Sequence, residues 1–576
     1  MKKIYLPLLT GIFCCITEFA FSQQPSSKMD NKKFNPYKYE TSKNVVCNNG
    51  AVVSAHALAS KVGVNILKQG GNAVDAAIAT QLALAVVYPG AGNIGGGGFM
   101  VLHLSSGENI SIDYREVAPA GASRDMYLDA NGNPQMHLSQ DGHLAAGVPG
   151  TISGLFAEMK YAKLPFKTLI QPAIDLAENG FAITENQAQS FNNTKEDFIR
   201  LNTTVPVFVK NTLWKKGDTL VQKDLANTLK RIRDNGAEGF YAGETARLIL
   251  EEMKKGHGII TAEDLKNYHA KTRDPLVFDY KGNTVISMPL PSSGGIIIEQ
   301  MLKMSNYRNL GDMKFETPES VQLMTEVERR SFADRAKFLG DPDFVKVPVK
   351  TLASDEYLKK RMSDYEPGKA GNSKDIKEGM INKESEETTH LSVLDKDGNA
   401  VSITTTLNGG YGSKTVVAGA GFLLNNEMDD FSVKPGVANM YGAVGAEANA
   451  IAPGKRMLSS MTPTIVLKNN KPWIVVGTPG GTTIPTSVYQ TLVDIIDFKM
   501  SPQDAVNKPK FHHQWLPDEI FVEKDFDNDV IAQLQKMGYK VTVRDQIGRT
   551  ELIMIMPDKS IQAIGDHRGD DAAVGY

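Results

Sequence analysis

Two adjacent threonines, Thr388 and Thr389, stand between an acidic run and a pattern typical of a β-strand. The stretch ESEETTHLSV at 384–393 passes abruptly from glutamates to alternating apolar residues. A solvated linker joined to a core strand would explain this composition. A point at which the chain is cut would explain it too, because the cut would leave a threonine at a new N-terminus.

The segments LSVL and AVSITTTL predict two antiparallel strands joined by the turn at 395–399. Pairing Leu394 with Ala400 fixes the register, because side chains alternate between the two faces of a strand. This register places Thr388 opposite Thr406, at the start of a polar face. We therefore expect a second hydroxyl beside Thr388.

A threonine hydroxyl is a poor nucleophile unless a base lies beside it. An N-terminal threonine carries its own base, since an α-amine with a pKa of about 7.7–8.0 accepts a proton near neutral pH. That amine exists only if the bond before the threonine is broken. We predict cleavage between Glu387 and Thr388, with Thr388 as the nucleophile and Thr406 as its hydrogen-bonding support.

Gly480 and Gly481 lie between a predicted strand, WIVVG, and a predicted helix, TTIPTSVYQTLVDIIDF. Free N–H groups at the start of a helix point toward one place, where they bind negative charge. The pattern therefore favours an anion-stabilising turn. A tight turn with no further role is the alternative.

Five motifs now identify a family resemblance. TTHLSVLDKDGNAVSITTTLN, LLNNEMDDFS, LSSMTPTIV, GTPGG and the upstream DYREVAPA are similar to those of γ-glutamyltranspeptidase, an N-terminal-nucleophile hydrolase, and the likeness runs from about residue 45 to Tyr576. The resemblance implies an α/β (α+β) fold, a four-layer αββα sandwich. It also implies a precursor that cuts itself into a large subunit, 23–387, and a small catalytic subunit, 388–576.

The same resemblance implies the reaction and its partners. Thr388 would attack the γ-amide of a γ-glutamyl compound such as glutathione, and the acyl group would pass from the threonine to water, an amino acid or a peptide. No cofactor and no metal is implied. The adjacent histidines His512 and His513 lack the spacing and the further ligands of a metal site.

The resemblance also assigns the substrate-binding residues. Arg115 would bind the α-carboxylate, because a planar guanidinium pairs with a carboxylate through two hydrogen bonds. The remaining assignments are as follows: Ser459 and Ser460 assist Arg115, Glu427 and Asp430 bind the α-ammonium with Asn408 beside them, Gly480 and Gly481 form the oxyanion hole, and Tyr441 gates the site. Tyr441 lies in a long loop between Phe431 and Met457 that is typical of a lid.

Composition narrows the remaining function classes. The 576 residues are 41% hydrophobic, carry a formal charge of −3 and have a pI near 6.4, so no basic surface for nucleic acid is expected. Residues 1–22 resemble a signal peptide, with Lys2 and Lys3 ahead of an apolar run and a small-residue cleavage signal. We expect a periplasmic or secreted bacterial protein with no membrane span.

The elements that must position these residues can be predicted in outline. Helical patterns dominate 150–380, and closely spaced strands follow from 388, so we expect helices flanking antiparallel sheets. The glycines at 90–98 follow a helix and precede a strand, which favours backbone crowding over a dinucleotide site. Residues 355–387 are polar, and we predict an exposed, mobile segment.

Two other functions remain open. A related N-terminal-threonine acylase, for example one acting on glutaryl amides, would use the same nucleophile. Arg115 together with Glu427 and Asp430 argues against it, since a substrate without an α-ammonium does not need both acids. An uncleaved, exported binding protein on the same fold is the second alternative.

Overall fold

Two seven-stranded antiparallel sheets lie face to face, and helices cover the outer face of each. The computed structural model describes Met1 and residues 35–376 and 388–576. Pro36–Tyr576 form one unit by their contacts, and of the other unit, Met1–Asn35, only the first and last residues are described. The predicted signal peptide beyond Met1 and the residue Glu387 lie outside the described residues.

The described residues contain the following strands: β1 (Asn44–Cys47), β2 (Ala51–Ser54), β3 (Gly97–His103), β4 (Asn109–Asp113), β5 (Phe181–Ala182), β6 (Thr219–Leu220), β7 (Lys271–Arg273), β8 (Leu276–Tyr280), β9 (Asn283–Ser287), β10 (Thr389–Leu394), β11 (Ala400–Thr406), β12 (Thr464–Lys468), β13 (Lys471–Gly477), β14 (Phe511–His512), β15 (Ile520–Glu523), β16 (Val541–Arg544), β17 (Glu551–Ile555), β18 (Ile561–Ile564) and β19 (Ala572–Gly575).

The α-helices in the same residues are α1 (Ala57–Lys68), α2 (Ala73–Val87), α3 (Met136–Gln140), α4 (Thr151–Glu158), α5 (Phe166–Asn179), α6 (Glu185–Leu201), α7 (Lys223–Asn235), α8 (Glu238–Tyr241), α9 (Gly243–Gly256), α10 (Ala262–Asn267), α11 (Gly294–Asn306), α12 (Pro318–Phe338), α13 (Val349–Leu352), α14 (Asp355–Arg361), α15 (Thr483–Ile496), α16 (Pro502–Asn507) and α17 (Asn528–Lys536).

The two large sheets draw strands from both sides of Thr388. The first sheet has the order β1-β18-β17-β13-β12-β9-β8, and the second has the order β19-β2-β10-β11-β3-β4-β7. Neighbouring strands in both are antiparallel. Strand β10 lies between β2 and β11, so the residue that precedes it is held near the centre of the second sheet.

An apolar core fills the space between the sheets. It includes Val53, Phe99, Val101 and Ala400 from the second sheet and Ile286, Ile465, Val475 and Ile553 from the first. Burying one large apolar side chain of this kind contributes about 1.5–3 kcal/mol. Helices α1 and α2 pack on the second sheet, and α11 and α15 pack on the first. The predicted αββα sandwich is confirmed.

The predicted hairpin has the predicted register. The pairs are Thr389 with Thr405, His390 with Thr404, Leu391 with Ile403, Ser392 with Ser402, Val393 with Val401 and Leu394 with Ala400. The pairing stops one residue short of Thr388, which lies immediately ahead of β10. The turn at 395–399 is held by the Asp395 carboxylate, which accepts hydrogen bonds from the N–H groups of Asp397 and Asn399.

The prediction for 355–387 is wrong for its first part. Asp355–Arg361 form α14, and Leu358 and Met362 are buried, at 0% and 2% exposure. Two apolar residues four positions apart lie on one face of a helix and suffice to dock it, even in a polar sequence. Residues 377–387 lie outside the described residues. In the part of the chain that is described, we find no helix with the length and hydrophobicity of a membrane span.

Candidate active site

Thr388 is 4% exposed and lines a small cavity. Residues from distant parts of the chain meet there. The predicted site residues on its wall are Arg115, Thr388, Thr406, Asn408, Asp430, Tyr441, Ser459, Ser460 and Gly481. The other two predicted residues adjoin the wall: Gly480 precedes Gly481, and Glu427 contacts Arg115. The structure therefore brings together every described member of the predicted set, which leaves out Glu387, whereas the roles assigned to them stay predictions.

The end of β11 holds Thr406 in place. Its Oγ1 accepts a hydrogen bond of 2.7 Å from the N–H of Asn408, and its carbonyl accepts one of 2.8 Å from Asn93 Nδ2. The glycine-rich turn before β3 packs against this point, since a Cβ added to Gly96 would lie 2.1 Å from the Thr406 carbonyl oxygen. The predicted backbone crowding is confirmed at Gly92 and Gly95, whereas a Cβ added to Gly90 would meet nothing within 4 Å.

Gly480 and Gly481 connect β13 to the start of α15. Gly481 has a φ of +52°, and a Cβ there would lie 2.5 Å from the Tyr441 ring, so a larger residue fits neither the backbone nor the space. Among the described residues, the N–H groups of Gly480 and Gly481 have no hydrogen-bond acceptor. N–H groups at a helix N-terminus are suited to bind negative charge, so the position of these two is compatible with the predicted oxyanion hole.

Arg115 is surrounded by acids. It follows β4 and is 1% exposed; its Nη1 lies 3.0 Å from Glu427 Oε1 and 3.5 Å from Glu116 Oε2. Its Nη2 donates to Asp430 Oδ2. Glu427 and Asp430 belong to the same 3₁₀ turn, Glu427–Asp430, which places both carboxylates on the guanidinium. The predicted carboxylate ligand and the predicted ammonium ligands thus contact one another.

Protonation relieves the excess of acids around Arg115. Burial raises the pKa of Glu116 to about 8, and neither carboxylate oxygen has a hydrogen-bond partner among the described residues. Burial, and then the field of Glu116, raise the pKa of Glu427 well above its ordinary value. A buried carboxyl without enough positive charge nearby holds its proton. An ammonium group entering the cavity would favour the ionised acids.

The loop between Phe431 and Met457 covers the cavity. Tyr441 is 3% exposed and its hydroxyl donates to the Asn408 carbonyl. Asn439 Nδ2 donates to Asp430 Oδ1 over 3.0 Å, which ties the loop to the acidic turn. Asp429 points elsewhere: it accepts 2.8 Å from the N–H of Met440 and 2.5 Å from Ser139 Oγ, as expected for a structural residue.

His390 belongs to β10, and its side chain is buried in the interior. Its Nδ1 is 2.9 Å from Thr404 Oγ1 and its Nε2 is 3.1 Å from Ser392 Oγ. Burial lowers the pKa of His390 to about 3, so the ring is neutral at ordinary pH. Its partners are hydroxyls, and a general-base role is unnecessary when the nucleophile carries an α-amine.

Sequence reasoning missed four polar residues at the site, one of which is Thr482 on the cavity wall. Arg335 and Asn439 line the cavity, and Glu116 contacts Arg115. Glu116 follows Arg115 in the DYREVAPA motif, so its position was a usable signal. Arg335 is one of several charged residues on α12, and the sequence does not indicate which side of that helix faces the cavity.

Comparisons with known proteins agree with this geometry. The sequence model of the Gamma-glutamyltranspeptidase family matches residues 59–576. The glutathione hydrolase proenzyme of Escherichia coli (strain K12) is 46% identical over 532 residues, which cover 92% of this chain and 92% of that protein.

Two solved structures resemble the fold. Helicobacter pylori γ-glutamyltranspeptidase matches with 44% identity and a TM-score of 0.56, over 59% of this chain and 97% of that one. Cephalosporin acylase from Bacillus halodurans matches with 26% identity and a TM-score of 0.79, over 94% of this chain and 99% of that one. The resemblance seen in the sequence motifs is confirmed, and the chain belongs to the γ-glutamyltranspeptidase family.

Proposed function

We propose that this chain is a self-processing γ-glutamyl hydrolase and transferase that acts on glutathione and related compounds. One observation carries the proposal: Thr388 shares a buried cavity with unpaired backbone donors and with a cluster of both charge signs. A γ-glutamyl group needs each of these features, because it has an amide carbonyl, an α-carboxylate and an α-ammonium.

The positions of these groups support the following reaction. Thr388 Oγ1 attacks the γ-carbonyl carbon while the α-amine of Thr388 takes the hydroxyl proton. The N–H groups of Gly480 and Gly481 stabilise the oxyanion, and Thr406 supports the nucleophile by hydrogen bonding. The proton then passes to the leaving nitrogen and the C–N bond breaks, which leaves a γ-glutamyl ester on Thr388. Water or the amine of an amino acid or peptide cleaves the ester.

The α-amine requires a maturation step. In the precursor the Thr388 hydroxyl attacks the carbonyl carbon of Glu387, the peptide nitrogen leaves as the new α-amine, and water hydrolyses the ester. The products are a large subunit, 23–387, and a small subunit, 388–576. We further infer export to the periplasm or the exterior, which rests on the signal-like sequence at 1–22.

Processing and activity are tested together. Purified protein should give two bands on denaturing electrophoresis, and N-terminal sequencing of the smaller should begin at Thr388. Release of glutamate from glutathione, with and without a dipeptide acceptor, then separates hydrolysis from transfer. A single full-length band together with tight γ-glutamyl binding and no turnover would favour an uncleaved binding protein instead.

An N-terminal-threonine acylase is the second candidate, favoured by the likeness to a cephalosporin acylase. The acidic residues around Arg115 separate the two proposals. A glutaryl amide lacks the α-ammonium, so the proposed enzyme should cleave it far more slowly than the matching γ-glutamyl amide. Equal rates on the two would favour the acylase.

A further inference from the structure

A second cavity lies at the opposite end of α15 from the cavity beside Thr388. Ile484, at the start of this helix, lines the cavity beside Thr388, whereas Asp494, near its end, lines the second one. Ten residues along a helix correspond to about 15 Å. Among the described residues, the two cavities share no lining residue. We call the second space the Asp494 cavity and treat it as a separate site.

Aromatic and acidic side chains line the Asp494 cavity. Asp494 and Glu316 contribute two carboxyl groups, and four phenylalanines surround them. The rings form two edge-to-face pairs, with centroids 5.9 and 6.0 Å apart: Phe315 with Phe498, and Phe511 with Phe526. No lysine, arginine or histidine of the described chain lies on this wall. The wall therefore carries acids and aromatic rings without a cation.

The carboxylate of Asp494 lacks a partner in the part of the chain that the structure describes. Asp494 is 3% exposed, yet its side chain accepts no hydrogen bond and has no cationic group within 4.0 Å. Lys510 is the cation that acts on it most strongly, but its Nζ donates to the Ala505 carbonyl over 3.0 Å. By contrast, Gln490 on the same wall donates to the Phe511 carbonyl over 2.6 Å. A buried carboxylate in this position favours an added positive partner.

Both acids of the cavity hold their protons more tightly than usual. Burial raises the pKa of Asp494 to about 7, while Lys510 opposes the rise and Glu316 adds to it. Glu316 is half-buried, and burial raises its pKa as well. Its Oε1 accepts a hydrogen bond of 3.3 Å from the N–H of Asp527. A cation between the two carboxyl groups would favour their ionised forms.

The composition of the wall selects the class of ligand. Two carboxyl groups without a cation on the wall disfavour an anion. A calcium ion takes about six to eight oxygen ligands, which two carboxyl groups among phenyl rings do not supply. An alkylammonium ion matches both parts of the wall, because its N–H groups donate to carboxylates and aromatic rings attract cations. The small size of the cavity favours a short alkyl chain.

We propose that the Asp494 cavity is a second binding site of this protein, for a small alkylammonium ion. Asp494 binds the ammonium group, Glu316 supplies the second carboxylate, and the phenylalanines enclose the alkyl carbon. This inference goes beyond the proposed function and does not depend on it, because none of these residues lines the cavity beside Thr388.

Saturation-transfer NMR with methylammonium chloride as the probe tests the site, since the method detects weak binding through the methyl protons of the ligand. Purified protein is titrated at constant ionic strength, with NaCl as the balancing salt. Wild-type protein should give a saturable signal. Asp494→Asn should weaken binding roughly 10- to 100-fold, because a charge-assisted hydrogen bond is lost. Phe526→Leu, which keeps an apolar side chain but removes a ring, should weaken it roughly 2- to 30-fold.

Two further variants serve as controls. Asp497→Asn is matched to Asp494→Asn, because Asp497 also lies at the end of α15, is 6% exposed and already pairs with Lys281 and the Tyr280 hydroxyl. It should lower stability and bind methylammonium nearly as well as the wild type. Asp430→Asn removes an acid from the cavity beside Thr388, and so measures any methylammonium that binds there.

Each outcome decides the inference. Binding that survives Asp494→Asn, or that Asp497→Asn weakens equally, overturns it, and so does a wild-type signal that never saturates. Binding lost only in Asp430→Asn would place the ion in the cavity beside Thr388 and overturn it too. Should Asp494→Asn not fold, Phe526→Leu decides: unchanged affinity overturns the inference, and weaker binding supports it. The proposed function fails separately, if wild-type protein cleaves no γ-glutamyl donor.

Discussion

The cavity has two walls that are built in different ways. We call Thr388, Thr406 and Gly481 the reactive wall, and Arg115, Arg335, Glu427 and Asp430 the charged wall. Backbone pairing within β10, β11 and β13 positions the reactive wall. Ion pairs join Arg115 to Glu427 and Asp430 on the charged wall, and Arg335 is held there by the hydroxyls of Ser293 and Ser460. The difference suggests that bond breaking depends on rigid strands, and that substrate choice depends on an adjustable charge network.

The largest expected effect is on the reactive wall. Thr388→Ala should remain a single chain and lose activity by roughly 10⁴-fold or more, as expected when a nucleophile is removed. Thr388→Ser, which keeps a hydroxyl, is the control and should still mature. Electrophoresis and donor turnover measure both. Cleavage of the alanine variant at the same bond, without added protease, would contradict self-processing by the hydroxyl.

Gly481→Ala should be the next most damaging change. The φ of +52° and the contact with Tyr441 leave no place for a methyl group, so the N–H would move away from the oxyanion. We expect kcat to fall roughly 10²- to 10³-fold. Gly107→Ala, at φ +94° with open space around it, should lower stability slightly and leave kcat alone. Equal kcat values for the two variants would remove Gly481 from the reactive wall.

Substitutions on the charged wall should change KM and leave the cleavage before Thr388 unaffected. Asp430→Asn should raise KM for a γ-glutamyl donor roughly 10- to 100-fold, because a charged contact to the ammonium is lost. Asp429→Asn is its neighbouring control, since Asp429 binds Ser139 and Met440 N–H instead. Thermal unfolding and steady-state kinetics should show lower stability for Asp429→Asn and weaker donor binding for Asp430→Asn. The reverse pattern would exchange their roles.

Alkaline pH should weaken the charged wall. Burial raises the pKa of Glu116 from 4.5 to about 8 in the folded state, so the folded protein binds an extra proton between these values. Stability from this group is present below pH 4.5 and is lost as pH rises toward 8. Denaturant titrations at several pH values give the free energy of unfolding as a function of pH. Glu116→Gln should reduce the fall of this free energy between pH 4.5 and 8. An unchanged slope would show that Glu116 is ionised when folded.

Acid pH should weaken β10, the strand that follows Thr388 on the reactive wall. Burial lowers the pKa of His390 from 6.5 to about 3, so protons bind the unfolded chain first as pH falls. The stability contributed by neutral His390 is present above pH 6.5 and is lost as pH falls toward 3. In the same titrations, His390→Gln should reduce the loss of unfolding free energy as pH falls below 6.5. If the variant loses as much unfolding free energy in acid as the wild type does, groups other than His390 cause the acid sensitivity.

The two walls also differ in how well the sequence predicts them. The register of β10 and β11 followed from alternation and a short turn, which are local properties. The position of Arg335 on the cavity wall could not be predicted from local properties, because it depends on which side of α12 faces the cavity. The docking of α14 was missed for the same reason. Only two buried apolar residues, Leu358 and Met362, indicate it, and the residues that they contact lie far away in sequence.

The alternation of strands from before and after Thr388 determines what a cut can do. Pairs β2–β10, β3–β11, β9–β12 and β1–β18 each join one side to the other. Separating the two pieces would require taking both sheets apart, with the loss of their shared core. Hydrolysis of the bond ahead of Thr388 would thus create a new chain end, while the shared sheets would still hold the two pieces together without a disulfide.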